Sequence, residues 1–221
     1  MARRLPGRRP GEYRSRQPVR EPYDVVLIVC EGAKTEPFYF EGLKRAWRLS
    51  SANVHVRHAG ATDPPSLVAY SLEELRTGDY DRAFCVFDRD THAGFNPALR
   101  QIAESVEGRA GKLAAIVSWP CFEIWVLLHF AMTTRAFTAT GGRSACEEVI
   151  REVVRHFSGY AKGRRDAFEF LAARLDDALL NASRLSQHNR QTSSRNPSTT
   201  VHTLITYLRE LRAERQPLPP S

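Results

Sequence analysis

Short apolar runs alternate with amphipathic segments along the chain as far as residue 131. Apolar runs of strand length are typical of buried β-strands, and a repeat of three to four residues is typical of helices. Four strands are predicted, at 25–30, 52–60, 83–87 and 113–119. Helices are predicted after them, at 34–47, 63–78, 96–108 and 120–130. Strands that alternate with helices predict an α/β fold with a mostly parallel sheet and helices on both faces.

The pattern changes after residue 131, where amphipathic segments follow one another without strands. Helices are predicted at 144–157, 164–180 and 199–214, with a polar linker at 183–199. We expect these helices to pack on the sheet as an extension of the same domain. The predicted organisation is a basic arm at 1–21, an α/β core at 22–131, a helical extension at 132–215 and a tail at 216–221.

Most of the positive charge lies near the N-terminus. The formal net charge is +7, and residues 1–20 carry seven arginines and one acidic residue. A segment rich in Arg, Pro and Gly is expected to be disordered. Two interpretations stay open: the arm neutralises nucleic-acid phosphates, or it only keeps the protein in solution. The first interpretation makes Arg3, Arg4, Arg8 and Arg9 nucleic-acid contacts.

Several classes of protein are not expected from these patterns. The chain has no run of 18 or more apolar residues, which argues against a membrane span. The basic N-terminus is not followed by an apolar segment, as a secretory signal would require. The four cysteines are far apart and include no CxxC pair. We therefore expect buried free thiols without a disulfide or zinc site, and a cytoplasmic protein.

Acidic residues follow three of the predicted strands at the point where each ends. Glu31 follows the first strand, Asp88 and Asp90 follow the third, and Glu123 follows the fourth. Ligands of parallel sheets collect at this edge. Clustered carboxylates repel each other unless a metal, an arginine or a shared proton lies between them. Because Mg²⁺ and Mn²⁺ prefer oxygen ligands, Glu31, Asp88 and Asp90 predict a site for one of these ions.

Other charged residues near this edge have two interpretations each. Glu36 and Glu123 are either further metal ligands or residues that favour the N-terminus of their own helix. Lys162 either stabilises developing charge on a phosphate or belongs to a solvated basic loop. Arg164 and Arg165 extend that loop, and we assign them to a basic rim that faces the substrate.

The DxD spacing of Asp88 and Asp90 is not specific by itself. It is also found in glycosyltransferases and in phosphatases of the haloacid-dehalogenase type. The phosphatases require a threonine two residues after the second aspartate, whereas Thr91 follows Asp90 directly. Their DxD motif also lies on the first strand, which here ends in Glu31. A phosphatase is retained as a minor alternative.

The combination of motifs resembles known families more specifically. The stretch "VLIVCEGAKTEPFYF" followed by "FCVFDRD" resembles the Toprim fold, shared by topoisomerases, primases and nucleases of the overcoming-lysogenization-defect family. More closely, the chain resembles the RloB family over roughly residues 25–210. The matching stretches are "CEGAKTEPFYFEGLK", "FDRD", "SWPCFEIWVLLHF", "YAK" at 160–162 and "NPSTTVHTLI" at 196–205.

This resemblance implies both a chemistry and a setting. In Toprim proteins the first-strand glutamate and the DxD pair ligate Mg²⁺ for phosphoryl transfer, and Glu31, Asp88 and Asp90 occupy the matching positions. RloB-like proteins are encoded beside restriction–modification genes. Relatives occur in two-gene abortive phage-resistance systems with an ATPase partner. The sequence around these motifs shows no active-site tyrosine context, so topoisomerase activity is not expected.

The expected function is therefore a Mg²⁺- or Mn²⁺-dependent nuclease that cleaves DNA or RNA, tRNA included, in phage defence with an ATPase partner. Glu31, Asp88, Asp90 and Lys162 are the predicted catalytic residues. The alternative is a non-catalytic subunit that binds nucleic acid or acts as a sensor. The oligomeric state and the choice between DNA and RNA are left open.

Overall fold

A computed structural model describes residues 24–51, 53–60, 63–89 and 93–214. Several sequence predictions fall on other residues. The basic arm with Arg3, Arg4, Arg8 and Arg9, the C-terminal tail, and Asp90 lie outside the described residues. Their roles stay predictions.

The described strands form one five-stranded sheet in the order β2-β1-β3-β4-β5. The strands are β1 (Val26–Cys30), β2 (Val54–His58), β3 (Arg82–Asp88), β4 (Leu113–Trp119) and β5 (Ser198–Thr199). The first four are parallel, and β5 joins the edge antiparallel to β4. The predicted α/β class with a mostly parallel sheet is confirmed. The parallel strands end on the same edge, which brings distant sequence motifs together.

The described helices follow each of the first four strands and then continue to Glu214, with β5 between the last two. They are α1 (Thr35–Trp47), α2 (Pro64–Thr77), α3 (Phe95–Glu104), α4 (Val106–Arg109), α5 (Glu123–Leu128), α6 (Ala145–His156), α7 (Ala167–Leu171), α8 (Leu175–Thr192) and α9 (Val201–Glu214), with a 3₁₀ turn at Ala172–Arg174. Local signals explain several ends. Asp63 accepts a hydrogen bond from the Ser66 amide at the start of α2, and Gly78 ends that helix at φ 84°. Ser144 and Glu147 form a capping box at the start of α6.

Each face of the sheet has its own apolar core. Along β1, Val26, Ile28 and Cys30 pack with α1 and the C-terminal helices. The alternate residues Leu27 and Val29 pack with α2 and α3. This alternation follows from the two-residue repeat of a strand. The strand is buried on both faces, as its continuous apolar sequence predicts.

Four predicted elements differ in the structure. The helix predicted at 164–180 begins at Ala167 and is divided into α7, the 3₁₀ turn and the start of α8. The helix predicted at 96–108 begins one residue earlier and is interrupted at Ser105, which caps the short α4. The helix predicted at 120–130 is only the six residues of α5. The linker predicted at 183–199 is wrong, because α8 continues to Thr192 and the remainder supplies β5. The polar sequence there reflects a partly exposed helix, since Ala182 and Leu185 are buried.

The prediction of four free cysteines is also wrong. Cys121 and Cys146 form a disulfide, with their Cα atoms 5.7 Å apart. Cys30 and Cys85 are free and buried. The pairing arises because α5 and α6 begin side by side, which a sequence separation of 25 residues does not reveal. The cytoplasmic location was inferred from the absence of disulfides, so the Cys121–Cys146 disulfide removes the basis of that inference.

Candidate functional site

Glu31 and Asp88 meet at the end of two adjacent strands. In the parallel β1–β3 pair, Cys30 lies opposite Val86. The Glu31 amide donates to the Val86 carbonyl at 2.9 Å, which carries the pairing one residue further. The Asp88 amide then donates to Glu31 Oε2 at 3.3 Å. The register of the sheet therefore holds the two acidic residues against each other, as the sequence predicts.

Glu36 reaches the same place from the first turn of α1. It is buried, with 7 % of its surface exposed. Its carboxylate folds over Gly32, where an added Cβ would lie 2.3 Å from Glu36 Oε2. Gly32 thus leaves the space that this carboxylate occupies. Both interpretations of Glu36 are compatible with its place, because it is in the first helical turn and also lines the cleft.

Glu123 is the most deeply buried acid of the site. It begins α5 and has 1 % of its surface exposed. Its Oε2 lies 3.7 Å from Lys162 Nζ and 3.5 Å from Cys146 Sγ, in the disulfide. Its Oε1 is buried and has no hydrogen-bond partner. A buried carboxylate oxygen without a partner is costly, so it favours an additional positively charged or hydrogen-bonding ligand.

A glycine-containing loop places Lys162 above the acids. Gly163 has φ 75°, a conformation that glycine adopts most easily. Its amide donates to Thr35 Oγ1 at 2.9 Å, which ties the loop to the start of α1. An added Cβ at Gly163 would lie 3.0 Å from the Lys34 Cβ. The loop and α1 are therefore in close contact, and Lys162 is held beside Glu123.

These residues line one open cleft of about 510 Å³ at the carboxyl edge of the sheet. Its walls include Glu31, Glu36, Asp88, Glu123 and Lys162. Four predicted acids and the predicted lysine are thus gathered in one place, although they are up to 131 positions apart. Their chemical roles stay predictions.

The acids raise one another's pKa values. The pKa of Asp88 is raised well above its usual value by desolvation, and the charges of Glu36 and Glu123 raise it further. Desolvation also raises the pKa of Glu36 and that of Glu123, while Lys162 lowers both. Among the described residues, the four acids of the cleft still outnumber the two lysines that line it, Lys34 and Lys162. A bound cation would relieve this repulsion.

Tyr160 is a member of the site that sequence analysis did not select. Its hydroxyl is buried without a hydrogen bond of normal geometry. Burial raises the pKa of Tyr160, and the charges of Glu123 and Glu36 raise it further. The stretch "YAK", which resembles the RloB family, contains this tyrosine beside Lys162. That match was the signal available in the sequence.

The donor atoms suit a hard divalent cation, but they do not form a closed cage. Within the described ranges, Cys121, Glu123 and Cys146 place one sulfur or oxygen atom each within 4.8 Å of one another, but both sulfurs are in the disulfide, so only Glu123 can ligate a hard cation there. Among Glu31, Glu36, Asp88 and Glu123, no three carboxylates come within that distance of one another. Mg²⁺ commonly uses one or two carboxylates and retains several waters, so this spacing is compatible with Mg²⁺.

The two arginines predicted at a substrate-facing rim make contacts within the protein. Arg164 forms an ion pair with Asp166 at 2.7 Å and lies over the rings of Phe157 and Phe170. Arg165 lies over the ring of Phe38, in α1. Both residues therefore help to hold the loop that carries Lys162. Their contact with nucleic acid stays a prediction.

Comparison with protein families gives a match over residues 26–208, to the family described as RloB-like protein. The chain belongs to the RloB-like family. The match includes every described acid of the cleft and Lys162. A comparison of this RloB-like protein with curated proteins finds no match. Within the described part of the chain, no helix combines the length and the apolar character needed to cross a membrane.

Proposed function

We propose that this RloB-like protein is a Mg²⁺- or Mn²⁺-dependent nuclease that hydrolyses phosphodiesters of DNA or RNA. The observation that carries the proposal is the contact between Glu31 and Asp88 on adjacent strands, with Glu36 and Glu123 in the same cleft. The resemblance of these motifs to the Toprim fold supports it. Burying several acids together is unfavourable for the folded protein. Clusters of acids with raised pKa values are typical of catalytic sites, and we interpret the cleft in this way.

Glu31 and Asp88 would hold the metal, and Asp90 and Glu123 would add ligands. A divalent ion bound there supplies a Lewis acid for the phosphate and lowers the pKa of a water molecule. Glu36 contributes negative charge from the start of α1, and its carboxylate is held in place over Gly32. Lys162 faces the open cleft and stabilises the charge that develops on the phosphate oxygens.

The setting proposed for this activity is phage defence with an ATPase partner. A free nuclease would damage the nucleic acid of its own cell, so its activity needs control. Relatives in the RloB-like family occur in two-gene systems with an ATPase, which would supply that control. The basic arm would add sequence-independent attraction to phosphates.

The direct test is cleavage of single- and double-stranded DNA, RNA and tRNA with Mg²⁺ or Mn²⁺, with and without the partner ATPase. Wild type is compared with Glu31→Gln and Asp88→Asn, which keep the shape of each side chain and remove its charge. We expect metal-dependent cleavage by wild type and loss of cleavage in both variants. Equal cleavage by all three proteins would refute the assigned roles.

A second candidate function is a non-catalytic subunit that binds nucleic acid. The 3.7 Å contact between Lys162 and Glu123 favours it, because the lysine compensates part of the acidic charge without a metal. The wide spacing of the carboxylates points the same way. Tight binding of nucleic acid without turnover, even with the partner and Mn²⁺ present, would establish this function and exclude the nuclease.

A further inference from the structure

A second cavity lies further along the same edge of the sheet. It has a volume of about 270 Å³ and is lined by residues of β4, β5, α3 and α8, together with Arg89. Arg89 directly follows Asp88, and its amide donates to the Ser118 carbonyl of β4 at 2.7 Å. Arg89, which lines this cavity, is thus the next residue in the chain after Asp88 of the acidic cleft. Because successive residues of a strand face opposite sides of the sheet, a polymer bound at both residues would have to cross the carboxyl edge of the sheet between Asp88 and Arg89.

One wall of the cavity is a stack of an arginine and two aromatic rings. The Arg89 guanidinium carbon lies 4.0 Å from the centre of the Trp119 ring and 5.0 Å from that of Phe95. Phe95 is buried, and Trp119 and Arg89 are half-buried. The rings fix the guanidinium plane before any ligand arrives. Aromatic rings and guanidinium planes are the surfaces on which unpaired bases stack in nucleic-acid-binding proteins.

The opposite wall carries positive charge and an unsatisfied acceptor. Arg190 and Arg195 are exposed side chains that line the cavity. Guanidinium groups bind phosphate through two parallel hydrogen bonds. Asn189 donates from Nδ2 to the Pro197 carbonyl at 2.8 Å, and its Oδ1 is buried without a hydrogen-bond partner.

We propose that this cavity binds one unpaired nucleotide of the substrate strand, next to the phosphate in the acidic cleft. The base stacks on the Trp119–Arg89 pair, and its phosphate contacts Arg190 and Arg195. A base in a Watson–Crick duplex is stacked on its neighbours and cannot enter such a cavity without leaving the helix. The substrate class is therefore single-stranded nucleic acid, or a loop or end with unpaired bases. This inference rests on the proposed nuclease function.

The test uses the full-length Asp88→Asn protein, so that binding is measured without cleavage. The probes are a fluorescein-labelled single strand of twelve thymidines, the uridine equivalent, and a blunt-ended duplex of two separate DNA strands. Trp119→Ala is expected to weaken binding of both single strands by about 5- to 100-fold, because it removes the stacking surface. Trp119→Phe keeps an aromatic ring and is expected to lose much less affinity. The duplex is expected to bind weakly to the parent protein and to both Trp119 variants.

Arg195→Ala and Arg212→Ala form a matched pair, because each removes one positive charge. Arg212 lies over Trp47, away from the residues that line the cavity. Arg195→Ala is expected to weaken single-strand binding several-fold more than Arg212→Ala. The fluorescence of Trp119 supplies an independent readout: single strands are expected to quench it in the parent protein, and the quenching is expected to disappear in Trp119→Phe.

Two results would overturn the inference. One is equal affinity of the parent and Trp119→Ala proteins for single strands, and the other is fluorescence quenching that is unchanged in Trp119→Phe. If wild type nevertheless cleaves nucleic acid, only the nucleotide site fails. If quenching and affinity depend on Trp119 but wild type never cleaves, the nucleotide site stands and the nuclease proposal fails.

Discussion

Two cavities on one edge of the sheet have opposite chemistry. The described part of the acidic cleft has four carboxylates and two lysines, and the pKa values of Asp88 and Glu123 are raised. The cavity beyond β4 gathers three arginines with aromatic rings that stabilise one of them. The first arrangement opposes folding unless a cation binds, whereas the second attracts a polyanion. Together they are the two features on which the proposed nuclease function depends.

The largest effect is expected where the acidic cleft loses one ligand charge. Asp88→Asn should lower metal-dependent cleavage about 1,000-fold, since loss of a metal ligand removes several kcal/mol of transition-state stabilisation. The same change should raise the free energy of unfolding by about 1 kcal/mol, because it removes a carboxylate crowded by other acids. Cleavage rates and thermal unfolding without metal measure the two effects.

The matched control for this prediction is Asp79→Asn. Asp79 is exposed and lies before β3, at the other end of the strand. It should change neither cleavage nor stability. If Asp88→Asn also changes neither cleavage nor stability, the acidic cleft is not a catalytic site, and the chemical contrast between the two cavities has no functional consequence.

Much of this contrast could be predicted from the sequence, for a physical reason. Glu31 directly follows the apolar run of β1, and Asp88 ends that of β3. Because parallel strands end on one edge of the sheet, this local pattern was enough to predict that the two residues meet. The cavity beyond β4 was not predicted. It depends on β5, a strand of two residues within a stretch whose polarity indicated a linker. The contact of Cys121 with Cys146 likewise arises from helix packing, which leaves no periodic signal.

The next largest effect should follow removal of Lys162, the lysine that contacts Glu123. Lys162→Met is expected to lower cleavage about 10- to 100-fold, within the range of an electrostatic group at a reacting phosphate. Because Lys162 lowers the pKa of Glu36 and of Glu123, its loss should move the acidic limb of the pH–rate profile to higher pH. Lys112→Met, at an exposed site before β4, is the control.

A smaller effect is expected from Gly32, which only makes room for a carboxylate. In Gly32→Ala the new Cβ would lie 2.3 Å from the present position of Glu36 Oε2, which is too close for both atoms to stay in place. Because the end of a glutamate is flexible, we expect it to move and cleavage to fall about 10-fold, with normal folding. The double variant Gly32→Ala with Glu36→Gln should lose little beyond Glu36→Gln alone. A fully additive loss would show that Gly32 acts independently of Glu36.

The smallest expected effect is on the pH dependence of stability. Since the pKa of Asp88 is raised in the folded protein, the unfolded chain releases this proton at lower pH. The free energy of unfolding should therefore fall as pH rises from about 4 through the raised pKa. His129 acts in the opposite direction, because its burial lowers its pKa to about 4. It is present in both wild type and Asp88→Asn, so the difference between their stability curves isolates Asp88.

The central claim is that Glu31 and Asp88 hold a divalent cation, and a crystal structure with bound Mn²⁺ tests it most directly. We predict an anomalous peak about 2.0–2.4 Å from carboxylate oxygens of both residues. A peak beside Cys121, Glu123 and Cys146 instead, or no peak in the acidic cleft at millimolar Mn²⁺, would contradict the claim.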